Sequence, residues 1–473
     1  MEDLRTIVCG CRQGDERAFT ALVGLYQNTA TGYAFSLLGD FHLAQDVAQE
    51  AFLCVSRDIG TLQEPGAFPA WLRKIVFKYS DRVRRRKHFP SVDLDKAAEL
   101  ADRNADPADV FLREHDRATR DLAVATALHT LSESDRTVVA LFYMGDHSVD
   151  EIAVFLQLSP SAVKKRLQRA RERLKERMLK MVGESLTDNA PSKSMRFAEA
   201  AALLRRTTQA LEQDERVDAA WLANSFGMPG DCGWSSAWLQ VVVPDEHIDA
   251  FILGRHEQAA LLGEPLITIE GPQNAPVGGA YLMALYDGVA GPYEIDWYWQ
   301  PRSGAVIPEA VSIPSGVVAQ VTHVLFDRVG LERPEGLTMH SEYKREMPAA
   351  LRKVWDARTE EQAAIDDAAN TISFFWAMLL ISARCVAASP SEADPPHLEF
   401  IAGVLSRAQA FAGIATDASA LQFRAGTASK TAALREMARA MEKVMPIAAE
   451  RGAVVNPAII DRAYRFLDLV ATA

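Results

Sequence analysis

The chain has 473 residues and a formal net charge of −12 at pH 7, which leaves room for roughly three domains of 100 to 200 residues. Its five cysteines, at 9, 11, 54, 232 and 385, exclude an even disulfide framework and a paired C-x-x-C ligand set, so reduced thiols are the simplest reading. The start, MEDLRTIVCGCRQGDERAF, lacks a signal peptide's apolar stretch, and the longest apolar run, TISFFWAMLLISA at 371–383, is shorter than the ~18 residues of a membrane span and is expected to be a buried helix. A cytoplasmic chain with no membrane association is expected. The acidic balance argues against nucleic-acid binding until it is divided by position. Residues 1–184 hold 27 Lys+Arg and 27 Asp+Glu, whereas the rest hold 24 and 36, so all the excess acid lies in the C-terminal part. In the neutral part the cations cluster at 82–87 and 164–180, the footprint of two DNA-contacting patches.

In chain order, Ala18, Phe19, Leu22, Val23 and Tyr26 repeat at helical spacing, and a second amphipathic stretch runs from His42 to Val55. A loop with two prolines and a glycine follows. Trp71, Leu72 and Ile75 then open a helix that ends in DRVRRRKH, with five cations between Arg82 and Lys87. Such a cluster meets a polyanion or plain solvent. Phe68 and Trp71 are candidate aromatic platforms for an unstacked base, with core packing the better reading for Trp71. Residues 89–115 are acidic and low in large apolar side chains, which reads as a linker.

From Ser148 to Met181 the pattern is two helices around a tight turn. Ser148 and Glu151 have capping-box spacing, and Val149, Ile152, Ala153 and Leu156 form one apolar stripe. Ser159 and Pro160 start the next helix as N-cap and first helical residue. Its inner face is Val163, Leu167, Ala170, Leu174 and Met178. Its outer face is Ser161, Lys165, Gln168 and Arg169, with Lys164, Arg166, Arg171 and Arg173 on the flanks. Such a helix can enter the major groove with cations left for phosphates. Taken alone, the same basic face fits solvent as well as DNA.

The run DVAQEAF, the loop leading into AFPAWLRKIV and the basic end DRVRRRKH resemble region 2 of the extracytoplasmic-function sigma factors. The stretch TLSESDRTVVALFYMGDHSVDEIAVFLQLSPSAVKKRLQRARERLKERM resembles their region 4. Departures are mild: Gln157 stands where a glycine is usual in the turn, and Lys78 and Tyr79 vary the helix before the basic run. The resemblance implies that Asp46, Gln49 and Glu50 contact RNA polymerase. It also implies that the loop at 61–70 and the helix from Trp71 to Arg86 hold the −10 element, and that Ser161, Lys165 and Arg169 read the −35 element. The DNA-binding residues expected are Arg73, Lys74, Arg82, Arg84, Arg85, Arg86, Lys87, Ser161, Lys164, Lys165, Arg166 and Arg169. None of this is catalysis.

Beyond the polar boundary GESLTDNAPSKS, a helix FAEAAALLRRTTQALEQ precedes the candidate strands AAWLA, WSSAWLQVVV, PLITIEG, AYLMALYD and YEIDWYWQP. Alternation with helices such as SGVVAQVTHVLFDRVGL argues for an α/β or α+β domain, and residues 345–473 read as a helical bundle. The order of elements resembles the nucleotidyltransferases of the aminoglycoside-adenylylating type. That family needs a Gly-Ser pair and an Asp-x-Asp pair for nucleotide and Mg²⁺. Here they fall on Asn224-Ser225 and on Ser236-Ala237-Trp238, with only Asp296 matching the third carboxylate. A hydroxyl and an indole do not replace two anionic ligands, so the resemblance implies a degenerate domain with no transferase activity. Ser225, Asp296 and Trp297 remain a candidate ligand pocket for a small molecule or nucleotide. No metal and no cofactor are expected.

The expected fold is multidomain: all-α sigma region 2 and region 4 (helix-turn-helix), an α/β nucleotidyltransferase-like domain and a C-terminal helical bundle. The expected divisions are 1–88, a linker at 89–115, 116–183, a linker at 184–194, 195–344 and 345–473. The expected function is an alternative sigma factor with a C-terminal regulatory or ligand-sensing extension, whose partners are core RNA polymerase and promoter DNA. Two other readings stand beside it: an active nucleotidyltransferase fused to a DNA-binding module, and a DNA-binding regulator that does not engage polymerase.

Overall fold

The computed structural model describes residues 4–86, 117–145, 147–174, 176–188, 190, 196–223, 236–271, 274–288, 292–312, 318–334, 348–388, 398–415 and 427–472. It divides into two compact units, Met1–Arg205 and Arg206–Ala473.

The described elements of the N-terminal unit are helical: α1 (Leu4–Arg12), α2 (Glu16–Leu38), α3 (Phe41–Asp58), α4 (Phe68–Arg86), α5 (Arg117–His129), α6 (Glu133–Tyr143), α7 (Val149–Leu156), α8 (Pro160–Arg173), α9 (Glu176–Asp188) and the first part of α10 (Arg196–Gln213). Local chemistry sets their ends. Asp15 caps α2 by accepting from the backbone N–H groups of Arg17 and Ala18, and Gly39 closes it at φ 71°, a conformation glycine adopts without steric cost. Ser132 caps α6, Ser148 and Glu151 form a reciprocal capping box on α7, and Ser159 caps α8 with Pro160 as its first residue.

The helix expected to run to Met181 stops earlier. Leu174 turns extended (φ −87°, ψ 114°) while its N–H still closes the last turn on Ala170, and α9 starts afresh at Glu176. The Leu174 side chain stays buried, and Met178, expected on the inner face of α8, is a half-buried residue of α9. One hydrophobic core runs from Ile7 to Ala201 and takes residues from helices on both sides of 89–115. At the crossing of α2 with α6, Ser36 Oγ lies 3.0 Å from Thr137 Oγ1, and Arg136 Nε donates to the Ser36 carbonyl at 2.6 Å. Gly32 permits the approach: a Cβ there would stand 3.3 Å from the Ala140 carbonyl oxygen.

The C-terminal unit holds a seven-stranded sheet in the order β3-β4-β5-β2-β1-β7-β6. Its strands are β1 (Ala219–Ala223), β2 (Ser236–Val243), β3 (Ile267–Glu270), β4 (Ala280–Tyr286), β5 (Tyr293–Pro301), β6 (Ala310–Ser312) and β7 (Val318–Asp327). The sheet is mixed, with β2 parallel to β5 and the other pairings antiparallel. The segment SGVVAQVTHVLFDRVGL was expected to be helical, yet its residues 318–327 form β7. Val318, Val321, Thr322 and Val324 are β-branched and favour the pleated geometry, and two irregularities in the register with β1 obscure the alternation in the sequence.

Two short helices, α11 (Ile248–Leu253) and α12 (Arg255–Ala260), lie between β2 and β3 in the chain. The C-terminal helices are α13 (Ala349–Asp356), α14 (Glu360–Ala388), α15 (Leu398–Ala412), α16 (Thr427–Glu450) and α17 (Ala458–Thr472). The apolar faces of α14 to α17 and one face of the sheet share a second core. The run at 371–383, read as too short for a span, belongs to the 29-residue α14. Among the described residues, Glu360–Ala383 is the one segment long and apolar enough to cross a membrane. Here Ile372, Phe375, Trp376, Leu379 and Leu380 are fully buried in the protein's own core.

Candidate nucleic-acid interface

Helix α8 owes its orientation to three core residues. Val163, Leu167 and Ala170 are buried, which turns Ser161, Lys164, Lys165, Gln168 and Arg169 to solvent and leaves Arg166 half-buried. Arg169 is already held. Its Nη2 donates to Asp135 Oδ1 at 2.7 Å, and Asp135, in the first turn of α6, has a side chain only 12% exposed. That hydrogen bond and its charge push the Arg169 guanidinium further above its ordinary range.

The turn before α8 has a backbone conformation that glycine adopts most easily. Gln157 sits in left-handed geometry (φ 57°, ψ 47°) as the C-cap of α7, and it is the one non-glycine residue with positive φ among those described. Its Oε1 accepts from Arg73 Nη2 at 2.8 Å, while Arg73 Nη1 donates to the Leu156 carbonyl at 3.2 Å. Arg73, expected on DNA, therefore ties α4 to the end of α7.

On α4, Phe68 is fully buried, in edge contact with Tyr26 at 5.0 Å, and so is no platform for a base. Trp71 is half-buried against it. The outer face carries Lys74, Lys78, Arg82, Arg84 and Arg85 in the open, and Arg85 pairs with Asp81 at 2.7 Å. Arg86 closes the helix, and Lys87 lies outside the described residues. Sequence reading missed Phe77, which is 47% exposed. Its spacing from Arg73 (i+4) and Arg84 (i+7) puts it on a basic face, and an apolar ring at such a position was the available signal.

On α3, Asp46 and Glu50 are half-buried, but Gln49 is 2% exposed. Tyr79 of α4 faces this helix; burial first, then the Glu50 carboxylate, pushes its phenol up. Cys54, also on α3, is pushed up to about 11 by burial and by its hydrogen bond to Asp58, so it is a thiol at neutral pH.

In the C-terminal unit, Asp296 and Trp238 are partners across the parallel β2/β5 pair. Tyr281 Oη donates to Asp296 Oδ1 at 2.8 Å. Burial pushes the Asp296 carboxyl up to about 7, and the hydrogen bonds from Tyr281 and Glu294 act against that rise. Trp297 points the other way, since successive strand residues alternate faces; its Nε1 donates to Tyr286 Oη at 3.0 Å and its ring stacks on Trp299. The structure does not bring Trp297 to Asp296, and Ser225 lies outside the described residues. Tyr281 and Glu294 are the neighbours of Asp296 that sequence reading missed; Glu294, two residues before it on β5, was the visible signal. Among the described residues no group of three or more His, Cys, Asp or Glu side chains is placed to hold a metal.

A separate polar cleft of about 640 Å³ opens between β3, α12, α13 and α14. At its floor Arg255 grips Glu270 at 2.6 to 3.1 Å and His256 Nε2 meets the same carboxylate at 2.8 Å. Burial raises the Glu270 carboxyl, but the hydrogen bonds from His256 and Arg255 outweigh it and hold the group below its usual range. Asn370 of α14 accepts from the Glu270 backbone N–H at 2.8 Å and donates to its carbonyl at 3.3 Å, as a neighbouring strand would.

Comparison with known proteins bears on the N-terminal unit. The family descriptions Sigma-70 region 2 and Sigma-70, region 4 match residues 22–89 and 121–174. The RNA polymerase sigma-H factor of Pseudomonas aeruginosa is 33% identical over 181 residues, 37% of this chain and 93% of that protein. The ECF RNA polymerase sigma factor SigW of Bacillus subtilis is 29% identical over 172 residues, 35% and 92%. The Xanthomonas campestris protein named "Probable RNA polymerase sigma factor RfaY" is 32% identical over 195 residues, 40% of this chain and 46% of its own length. Among solved structures, that of CnrH in complex with the cytosolic domain of CnrY aligns with 36% of this chain and 94% of that chain at 25% identity; its TM-score of 0.26 carries no argument. Through its N-terminal unit the chain belongs to the extracytoplasmic-function branch of the sigma-70 family, whose members direct RNA polymerase to promoters.

Proposed function

We propose that the whole chain works as an alternative sigma factor in the cytoplasm, recognising −10 and −35 elements through its N-terminal unit and carrying residues 206–473 as a regulatory or ligand-sensing extension. The observation that carries the promoter reading is α8: a capped, proline-started helix with Ser161, Lys164, Lys165 and Arg169 exposed beside the half-buried Arg166. Base contacts come from Ser161, Lys165 and Arg169, and phosphate contacts from Lys164 and Arg166. On α4, Arg73 braces the helix against the end of α7, while Lys74, Arg82, Arg84, Arg85 and Arg86, with Lys87 beyond the helix, bind the −10 strand. There Phe77 offers a ring on which an unstacked base can rest, a contact that offsets part of the cost of opening the duplex. Asp46 and Glu50 dock on core polymerase, with the buried Gln49 between them shaping the helix rather than meeting the partner.

Run-off transcription with purified core polymerase tests the reading. Lys165→Ala is expected to lose about 1 to 3 kcal/mol of promoter binding, the range for one base contact, with core-polymerase affinity unchanged; loss of both together would contradict the division of labour. The extension is proposed to be a degenerate nucleotidyltransferase-like domain without transferase activity. The Trp238 indole beside Asp296 on adjacent strands supports this, because it takes the place of a second metal-binding carboxylate. Incubation with nucleotide, Mg²⁺ and candidate acceptors is expected to release no pyrophosphate above background, and robust turnover would refute it.

A further inference from the structure

The polar cleft of the C-terminal unit, about 640 Å³, has the size of a small-molecule site, roughly 300 to 1,000 Å³, and it is distinct from the surroundings of Asp296. Across the sheet Asp296 stands opposite Met283 and Met283 opposite Ile269, whereas Glu270 stands opposite Leu282 and Leu282 opposite Trp297. Opposed residues share a face and successive residues alternate, so the side chains of Thr268 and Glu270 lie on the face away from Asp296. β3 is the edge strand, and the Asn370 side chain already fills the pairing position beside Glu270. Recognition in the cleft therefore falls to side chains.

The charges of the lining sort into pairs, with one carboxylate left over. Arg255 and His256 share the Glu270 carboxylate. The Arg358 guanidinium carbon lies 4.2 Å from the centroid of the Trp355 ring and the group donates to Asp366 Oδ2, while Asp366 Oδ1 accepts from Gln362 Nε2 at 2.8 Å. Both arginines and two of the three carboxylates are thus already paired. Asp367 is exposed on the lining and has no ion pair among the described residues. An anion would have to break an existing pair to reach a cation, whereas an ammonium group meets Asp367 directly. The mouth adds apolar surface: Val354 is 47% and Val454 70% exposed, beside the half-buried Trp355. A single exposed valine is ordinary, but two on the rim of one cavity, with an indole between charges, make a seat for an apolar body.

We propose that this cleft is the ligand site of the extension and takes a small amphiphilic amine, whose ammonium group pairs with Asp367 while its apolar body rests on Val354, Val454 and Trp355. The inference rests on the reading of residues 206–473 as a ligand-sensing extension. Removing the apolar body from water supplies the attraction, and Asp367 selects the sign of the charge, as a rim charge does. Val354 and Trp355 lie on α13, Asp367 on α14 and Val454 between α16 and α17, so a bound amine joins three segments of the chain and stabilises the C-terminal unit by mass action.

Isothermal titration of the full-length chain with tryptamine, N-acetyltryptamine and indole-3-propionate tests this, because the three share a ring and differ in charge. Tryptamine is expected to bind saturably, the neutral analogue several-fold more weakly and the acid more weakly still. Asp367→Asn is expected to weaken tryptamine about fivefold and to remove most of its advantage over the neutral analogue. Val454→Lys sets a cation at the mouth and is expected to weaken tryptamine while sparing indole-3-propionate; both substitutions are at exposed positions, so the folded protein is available for each. No saturable tryptamine binding, equal affinity for the three probes, or an affinity unmoved by Asp367→Asn would overturn the proposal. Run-off transcription with and without tryptamine separates the reading beneath it: binding in the expected charge order with unchanged transcription keeps the site and overturns its sensory role.

Discussion

Gln157 carries a backbone conformation that costs an L-residue about 1 to 2 kcal/mol, partly offset by its hydrogen bond with Arg73. Gln157→Gly is expected to stabilise the N-terminal unit by about 0.5 to 1 kcal/mol and Gln157→Val to destabilise it by about 1 to 2 kcal/mol, because a β-branched side chain fits that region worst. Urea denaturation measures both. Asp296 makes a pH prediction in the other unit. Its carboxyl is raised to about 7 in the folded protein, from an ordinary value of 3.8. The folded state therefore binds the proton more tightly, and the stability this contributes is fully present below about pH 4 and lost as pH rises through about 7. Asp296→Asn should flatten the pH dependence of melting of the C-terminal unit over that window; an unchanged slope would assign the dependence to another group. Asp296 was legible as a carboxylate on a strand, but its environment was not, because Tyr281 and Glu294 reach it through the pairing of β4 and β5 and the pleat of β5 itself.

The elements were most legible where local chemistry decides them. Ser148 and Glu151, Ser159 and Pro160 announce α7 and α8 in the sequence, and the structure contains the reciprocal hydrogen bonds of the capping box. Ser148→Ala is expected to cost about 1 kcal/mol of N-terminal unit stability, the usual cost of losing a hydroxyl N-cap, read as a lowered urea midpoint at unchanged slope. Legibility failed where tertiary structure decides. The spacing of apolar residues continues through Leu174, so nothing local marks the break there. β7 was read as a helix because its register with β1 slips twice. Trp297, expected to share a ligand pocket with Asp296, faces the other way because successive strand residues alternate faces.

At the scale of the molecule, the division into two units falls inside a helix, after Arg205 in α10, and the two main cores share no residue. Two calorimetric transitions are therefore expected, one moved by Gln157→Val and the other by Asp296→Asn; a single transition moved equally by both would show one cooperative block. Composition located the acidic half of the chain and its change of architecture. It did not reveal that helices on either side of residues 89–115 share a core, since that depends on the close crossing at Gly32 and on polar contacts such as Arg136 with Ser36.

The ion pair of Arg169 with Asp135 has a consequence for discrimination between sequences. An unrestrained arginine gives up conformational freedom when it meets a base, about 0.5 to 1.5 kcal/mol for a rotamer-rich side chain. Arg169 has given up part of that freedom in the unbound protein, because Asp135 holds one edge of its guanidinium at 2.7 Å and leaves the rest free to point outward. A pre-aimed probe accommodates fewer base edges than a swinging one. Asp135→Ala should therefore leave overall promoter affinity within a few-fold while broadening the set of −35 sequences accepted, as measured by selection from a randomised DNA pool.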